Sequence, residues 1–161
     1  MKQKTEVSKK EIHFRGMFMS LFIDIEFLLG DTLSTTLVGD NELKLNLIEF
    51  VNPKLMLEPK TMLLHNILKK KHNLLFLKYK DHLDDLRKYN TLRNDFAHKR
   101  IEIDTGKKML HFIVLNNGSF IKNSFSYTDL ETKFNSLKDI LVKLNDLQNE
   151  LTATQQGNPL L

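Results

Sequence analysis

The spacing of apolar residues changes twice along this chain, and these two changes constrain its fold more than any other feature. From Phe14 onward, apolar residues recur every three or four positions, which is the period of an amphipathic helix. Between Ile101 and Ile121 the period becomes two, within runs rich in β-branched and aromatic residues, as in strands. The helical spacing returns at Leu130 and continues to Leu147. The pattern predicts a mainly α fold with a small β-hairpin or meander before the last helix.

Local end signals predict where these elements begin and end. Capping boxes at Ser8–Glu11 and Thr128–Glu131 are expected to open the first and last helices. Gly30 is expected to end the first helix, and a small polar loop should follow it. Turns are predicted at residues 105–107 and at Asn117-Gly118. The predicted helices are 8–29, 42–51, 61–71, 73–97 and 128–151, and the predicted strands are 101–104, 109–115 and 119–121.

Composition limits the classes of protein that fit. With 161 residues, 41% of them hydrophobic, the chain can bury one core, so we predict a single domain over 1–151 and a disordered tail over 152–161. It has no cysteine, which excludes disulfides and thiolate metal sites and is compatible with the cytoplasm. No metal site or cofactor is predicted. The most apolar run, Met17–Leu29, includes Asp24 and Glu26 and is too short and too charged to span a bilayer.

The predicted first helix is apolar around more of its circumference than a surface helix of a monomer needs. Met19, Ile23 and Phe27 lie off its main apolar stripe. We therefore expect a partner chain or a close neighbouring helix to cover them. The main stripe consists of Phe14, Met17, Phe18, Leu21, Phe22, Ile25, Leu28 and Leu29.

Residues 91–100, Thr-Leu-Arg-Asn-Asp-Phe-Ala-His-Lys-Arg, place several polar side chains at the end of the long fourth helix. On a regular helix, Arg93 would extend the stripe Tyr79, Leu83, Leu86, Asn90 and Ala97. An arginine on such a stripe should be paired or functional. Asn94 and His98 share a face, whereas Arg93 and His98 diverge by about 140°. The helix should therefore end at His98, or a second chain should complete the site.

Arg93 and His98 are separated by four residues, with Asn94 directly after the arginine and Ala97 directly before the histidine. This pattern resembles the signature of the HEPN superfamily of helical ribonucleases and nucleotide-binding domains. The resemblance implies a bundle of four to five helices with a small hairpin or meander between the motif helix and the last helix. It also implies metal-independent endoribonuclease activity at a composite homodimer site, in which the RNA 2′-hydroxyl attacks the adjacent phosphate.

Each motif residue has an expected role in that reaction. His98 is the candidate acid or base, because imidazole alone has an unperturbed pKa near neutrality. Arg93 offers planar, always-charged donors that suit phosphate oxygens. Asn94 could orient the imidazole or contact the substrate. Some toxin members of the family carry a tyrosine two residues after the histidine as the acceptor of AMP, but this chain has Arg100 there. Neutralisation of the protein by AMP transfer at this position is therefore not expected.

Positive charge is concentrated around the motif. Residues 69–108 carry 12 Lys and Arg against 6 Asp and Glu, whereas the rest of the chain carries 12 against 14. Clustered cations attract polyanions such as RNA. A solvated helix face remains the alternative for a cluster such as Lys69–Lys71. The predicted RNA-binding residues are Lys99, Arg100, Lys107 and Lys108.

Two other functions remain open. A HEPN-like module that binds RNA, a nucleotide or a partner protein without cleavage would share the fold and the basic segment. Alternatively, the chain is a plain helical interaction or DNA-associated protein in which the motif is accidental, and His98, Lys99 and Arg100 only complement the dipole at a helix C-terminus. If the protein is a ribonuclease, the resemblance favours a toxin–antitoxin or antiviral-defence role, with an antitoxin or regulatory protein as a further partner.

Overall fold

The computed structural model describes residues 2–38, 41–51, 55–116 and 119–156. It is mainly helical and contains one antiparallel three-stranded sheet in the order β1-β2-β3. This confirms the predicted mainly α fold with a meander before the last helix. The elements are α1 (Lys2–Leu37), α2 (Asn41–Asn46) with a π-helical turn (Leu47–Val51), α3 (Leu57–Lys71), α4 (Asn73–Lys88), α5 (Asn90–His98), β1 (Arg100–Asp104), β2 (Met109–Asn116), β3 (Ser119–Ser126) and α6 (Tyr127–Gln156).

The described residues fall into two compact units. The first unit lies within Met1–Phe22 and Thr91–Lys138, and the second lies within Ile23–Asn90 and Asp139–Leu161. The predicted single domain over 1–151 stays a prediction. Among the described residues, no helix combines the length and the hydropathy that a membrane crossing requires.

Helix α1 is longer than predicted at both ends. It begins at Lys2, so Ser8 is not its N-cap, and it continues through Gly30 to Leu37. The predicted polar loop after Gly30 is therefore wrong as far as Leu37. Three buried hydroxyl groups in this part are satisfied within the helix, because each donates to a carbonyl about one turn earlier. These bonds are Thr32 Oγ1 to Leu28 O at 2.7 Å, Ser34 Oγ to Gly30 O at 2.9 Å and Thr36 Oγ1 to Leu33 O at 2.8 Å.

The second and third helices also differ from the predicted ones. Helix α3 starts at Leu57 and contains Pro59 in its first turn, where proline removes no helical hydrogen bond. The predicted start of this helix at residue 61 is therefore wrong. In α2, Leu43 is exposed.

Helix α6 opens with a capping box two residues earlier than predicted. Ser126 and Asp129 bond reciprocally, from Asp129 N to Ser126 Oγ at 3.0 Å and from Ser126 N to Asp129 Oδ2 at 3.1 Å. The predicted Thr128–Glu131 box is therefore wrong. The helix continues to Gln156, so the first five residues of the predicted tail are helical, and the rest of that tail lies outside the described residues.

The predicted long helix over 73–97 is divided in two. Helix α4 ends at Lys88, where the Tyr89 N–H bonds to Leu86 O at 3.0 Å in a tight turn, and α5 begins at Asn90. The amide of Asn90 is held by Glu58, with Nδ2 donating to Oε2 at 3.0 Å. Because the helix restarts, the predicted continuous stripe is wrong beyond Leu86. The buried residues of α5 are Leu92, Asp95 and Phe96.

Aromatic rings form the core of the first unit. Phe96 of α5 stacks on Phe18 of α1, with centroids 4.4 Å apart, and meets Phe112 of β2 edge-on at 4.9 Å. Phe134 of α6 meets Phe18 edge-on at 5.5 Å. The ring of Phe96 therefore joins the motif helix to both a helix and the sheet.

The sheet matches the prediction closely. All three strands are present, and the first two begin and end within one residue of their predicted limits, whereas β3 extends to Ser126. Strand β2 pairs with both neighbours, with Phe112 opposite Ile101 on one side and Asn123 on the other. The predicted turn at Asn117-Gly118 lies outside the described residues.

Candidate functional site

Helix α5 presents the motif on its outer side. Leu92 and Phe96 are buried, and Asn94 and His98 lie roughly 200° and 240° around the helix axis from Leu92, which turns them away from the core. Arg93 and Asn94 are half-buried, and His98 is exposed. The helix ends at His98, as predicted. The candidate acid or base is therefore the last helical residue, with its ring open to solvent.

A hydrogen bond links Arg93 to the face that carries His98. Arg93 Nη1 donates to Asn94 Oδ1 at 3.3 Å. Asn94 lies one helical turn before His98, so the residue that accepts this bond shares a helix face with His98. In the part of the chain that the structure describes, no hydrogen bond or ion pair engages the His98 ring. Arg93 is thus linked to Asn94, which shares a helix face with His98, and the exposed imidazole is available to a ligand.

Arg15 of α1 closes the end of the motif helix. Its Nη1 donates to the carbonyl of Phe96, and its Nη2 donates to the carbonyl of Lys99 at 2.8 Å. The last carbonyls of a helix lack helical partners and carry partial negative charge, so a guanidinium there is favourable on both counts. Glu11 lies 3.6 Å from Arg15 and orients it from the preceding turn of α1. The two acceptors flank His98 in sequence, so Arg15 holds the turn on which the imidazole is carried.

Asp95 is the buried charge of the motif. Its carboxylate is almost fully buried and lies 2.5 Å from Lys99 Nζ, one turn further along. The Lys99 N–H also bonds to the Asp95 carbonyl at 3.0 Å. A buried carboxylate needs such a partner, because an unpaired buried charge is very costly. The ammonium of Lys99, predicted to bind RNA, therefore already neutralises a charge within the protein.

The other predicted RNA-binding residues are exposed. Arg100 opens β1 and lies 3.6 Å from Glu102, while its side chain stays 77% accessible. Lys107 and Lys108 lie in the β1–β2 turn, which Asp104 holds by accepting from the Lys107 N–H at 3.0 Å. Lys108 has a φ of 53°, in the left-handed region, and its carbonyl accepts from Tyr127 N at 3.0 Å. Three of the four predicted cations can thus meet a ligand from solvent.

Three residues that support the site were absent from the sequence-based prediction: Arg15, Asp95 and Phe96. An Asp followed by a Lys four residues later on a predicted helix indicates an ion pair, so the Asp95–Lys99 pair could have been predicted from the sequence. Arg15 could not, because 81 residues separate it from Phe96. Among the described residues, no three His, Asp or Glu side chains form a group that could hold a metal ion.

Comparisons with protein-family models, curated proteins and solved structures found no match to this chain.

Lys99→Gln is expected to destabilise the protein, although it looks like a mild surface change. It leaves the buried Asp95 carboxylate without its cation, which should lower the free energy of unfolding by about 1–3 kcal/mol. Arg100→Gln is the matched control and should change it by less than about 0.5 kcal/mol, because Arg100 is exposed. Urea unfolding followed by circular dichroism measures both. Equal stability of the two variants would contradict a structural role for the Asp95–Lys99 pair.

Proposed function

We propose that this protein is a metal-independent endoribonuclease of the HEPN type, acting in the cytoplasm. The observation that carries the proposal is the arrangement on α5: Arg93 bonded to Asn94, and an exposed His98 at the end of the same helix. The anchoring of that helix by Phe96 and Arg15 adds support, because an acid–base group works only when its position is maintained.

The proposed chemistry matches the groups present. The 2′-oxygen of a ribose forms a bond to its own 3′-phosphate while the bond from phosphorus to the 5′-oxygen of the next nucleotide breaks. A base removes the proton of the 2′-hydroxyl, and an acid delivers a proton to the departing 5′-oxygen. His98 supplies one of these roles. The guanidinium of Arg93 stabilises the negative charge that grows on the phosphoryl oxygens. Asn94, which shares a helix face with His98, accepts a hydrogen bond from that guanidinium.

Two proton transfers favour a dimeric site. One chain supplies a single His98, whereas cleavage benefits from an acid and a base together. In a two-fold symmetric dimer, two copies of α5 could place two histidines and two arginines around one phosphate. Exposed apolar side chains are present to bury in such an assembly, since Ile23 and Phe27 of α1 are both exposed. The homodimer is therefore part of the proposal.

The biological setting that we propose is a toxin–antitoxin or antiviral-defence system. A ribonuclease that acts on cellular RNA must be restrained, so an antitoxin or a regulatory protein is its expected partner. Arg100 stands where some toxins of this family carry the tyrosine that accepts AMP, so restraint by direct binding is favoured over modification at that position.

The purified protein is expected to cut single-stranded RNA in the presence of excess chelator, because the proposed site works through side chains alone. The products should end in 2′,3′-cyclic phosphates, since the attacking group is the neighbouring 2′-hydroxyl. Gel analysis of labelled RNA, with and without phosphatase treatment able to open and remove the cyclic end, measures both outcomes. A DNA oligonucleotide of the same sequence is the control and should stay intact.

Other outcomes would favour other functions. Loss of cleavage on chelation, or products with 5′-phosphates, would contradict the proposed chemistry. RNA that is bound but stays uncut under all conditions would favour the non-catalytic module, for which the same basic residues would suffice.

A further inference from the structure

The outer face of the three-stranded sheet carries an exposed apolar and cationic surface that the proposed reaction does not use. Ile101, Leu110 and Phe112 are buried, so they mark the inner face. Successive residues of a strand point to opposite sides, so their neighbours point outward. We call this surface the outer sheet face; it includes Arg100, Glu102, Ile113, Leu115, Phe120 and Lys122.

The apolar part of the outer sheet face lies at the end of the β2–β3 hairpin. Leu115 and Phe120 are directly paired across the two strands. Their side chains are 66% and 74% exposed, respectively. An aromatic ring held on a strand with its surface open to solvent offers a platform on which a planar base can stack.

The cationic part begins one row further along the strands. Arg100, Ile113 and Lys122 lie side by side across β1, β2 and β3. The apolar platform at Leu115 and Phe120 is thus followed by an apolar residue with a cation on each side. Stacking surfaces next to cations are what a single nucleic-acid strand requires, because its bases and phosphates alternate along its length.

Glu102 holds both cations on this face. Its carboxylate lies 2.8 Å from Lys122 Nζ, reaching across β2, and 3.6 Å from Arg100 Nη2. The hydrogen bond from Lys122 lowers the pKa of Glu102 below its ordinary value. The carboxylate is therefore charged at neutral pH, so it orients the two cations while it also competes with any incoming phosphate.

We propose that the outer sheet face binds single-stranded RNA, with a base stacked on Phe120 and the backbone phosphates between Arg100 and Lys122. Single-stranded RNA is favoured over a duplex because paired bases stay inside their helix and cannot stack on a protein ring. Arg100 lies two residues after His98, so their Cα atoms are within about 7 Å of each other. A strand on this face would therefore pass close to the end of the motif helix. Only this delivery to His98 rests on the proposed function; the binding itself does not.

The test measures binding of a fluorescent oligouridine to the full-length chain carrying His98→Ala, which prevents cleavage during the measurement. Adding Phe120→Ala should raise Kd by roughly 5- to 150-fold, the range for losing one base–aromatic stack. Phe120→Tyr should restore most of the affinity, because it keeps the ring. Leu74→Ala, at an equally exposed position on α4, is the control and should leave Kd unchanged. Thermal unfolding should be the same for all of these variants.

Substitutions at the ion pairs test the same surface with opposite signs. Lys122→Gln should weaken binding and reduce the slope of log Kd against log salt by about 0.7, since one phosphate contact with a single strand is lost. Glu102→Gln should tighten binding, because it removes the competitor for both cations. A duplex of the same length should bind more weakly and should not respond to Phe120→Ala.

Several outcomes would overturn the inference. They are no binding of oligouridine, an unchanged Kd for Phe120→Ala, or weaker binding for Glu102→Gln. If Phe120→Ala changes the molar mass of the protein in light scattering but leaves the Kd for oligouridine unchanged, this face is instead a contact between two copies of the chain. The inference and the proposed function can fail separately. If RNA binds through this face but is not cleaved, the proposed ribonuclease activity is contradicted and the binding surface is retained. If RNA is cleaved and Phe120→Ala changes neither Kd nor KM, the binding surface is contradicted and the ribonuclease activity is retained.

Discussion

His98→Ala is expected to reduce RNA cleavage by about 10²–10⁴-fold, the usual cost of losing a positioned general acid or base. Fold and RNA binding should be largely retained, because the ring is exposed and no hydrogen bond or ion pair holds it within the described residues. Single-turnover cleavage of a labelled RNA measures the rate, and circular dichroism confirms the fold. His82→Ala is a matched control, since it removes the same type of side chain from α4, outside the motif helix. Equal loss in both variants, or no loss in His98→Ala, would contradict the proposed role.

Mixing wild-type and His98→Ala chains tests whether the site needs two histidines. If each dimer holds one composite site, cleavage should fall with the square of the wild-type fraction. An equal, fully exchanged mixture should then keep about a quarter of the activity, because about a quarter of the dimers are wild type. Two independent sites would keep about half. Cleavage activity that falls linearly with the wild-type fraction would therefore be consistent with ribonuclease activity but would contradict a composite site.

The β-meander could be predicted from sequence because its signals are local. Alternating residues at Ile101 and Ile103, the turn at residues 105–107 and the run from Met109 all act within a few positions. Strand register follows from such alternation, since a shift by one residue would expose the buried face. The structure accordingly places β1 and β2 within one residue of their predicted limits.

The ends of the helices could not be predicted as well, because contacts outside the local sequence decide them. The small polar residues after Gly30 suggest a loop, yet they continue α1 and are buried, and burial depends on distant residues that the local sequence does not reveal. The uninterrupted apolar spacing before Ala97 suggests one helix, yet the turn at Tyr89 divides it, with Asn90 held by Glu58.

The candidate site shows the same division between local and distant causes. Arg93, Asn94 and His98 could be selected from their spacing alone, and the predicted end of the helix at His98 is confirmed. That Arg93 would not continue an apolar stripe could not be predicted, because the helix restarts at Asn90 and the apolar residues that it buries are Leu92 and Phe96. Arg93 therefore lies beside the apolar face instead of continuing it. The motif is therefore positioned by the packing of Leu92 and Phe96 in the core.

Phe96→Ala is expected to lower the free energy of unfolding by about 3–5 kcal/mol, among the largest effects of any single substitution in this chain. The ring is fully buried, stacks on Phe18 at 4.4 Å and meets Phe112 edge-on at 4.9 Å, so its removal leaves a cavity against both α1 and the sheet. Urea unfolding measures the loss. Phe120→Ala removes the same ring from an exposed position and is the matched control, with an expected change below about 0.5 kcal/mol.

Phe96→Ala also tests whether core packing positions the catalytic groups. Phe96 lies two residues before His98, and its carbonyl accepts a hydrogen bond from Arg15. If the ring fixes the helix, Phe96→Ala should cleave more slowly even after its rate is divided by the folded fraction, because the reacting groups lose their alignment. Phe96→Met should recover much of both properties, since it refills most of the volume. Full activity per folded molecule in Phe96→Ala would mean that Arg15 alone suffices to hold the turn that carries His98.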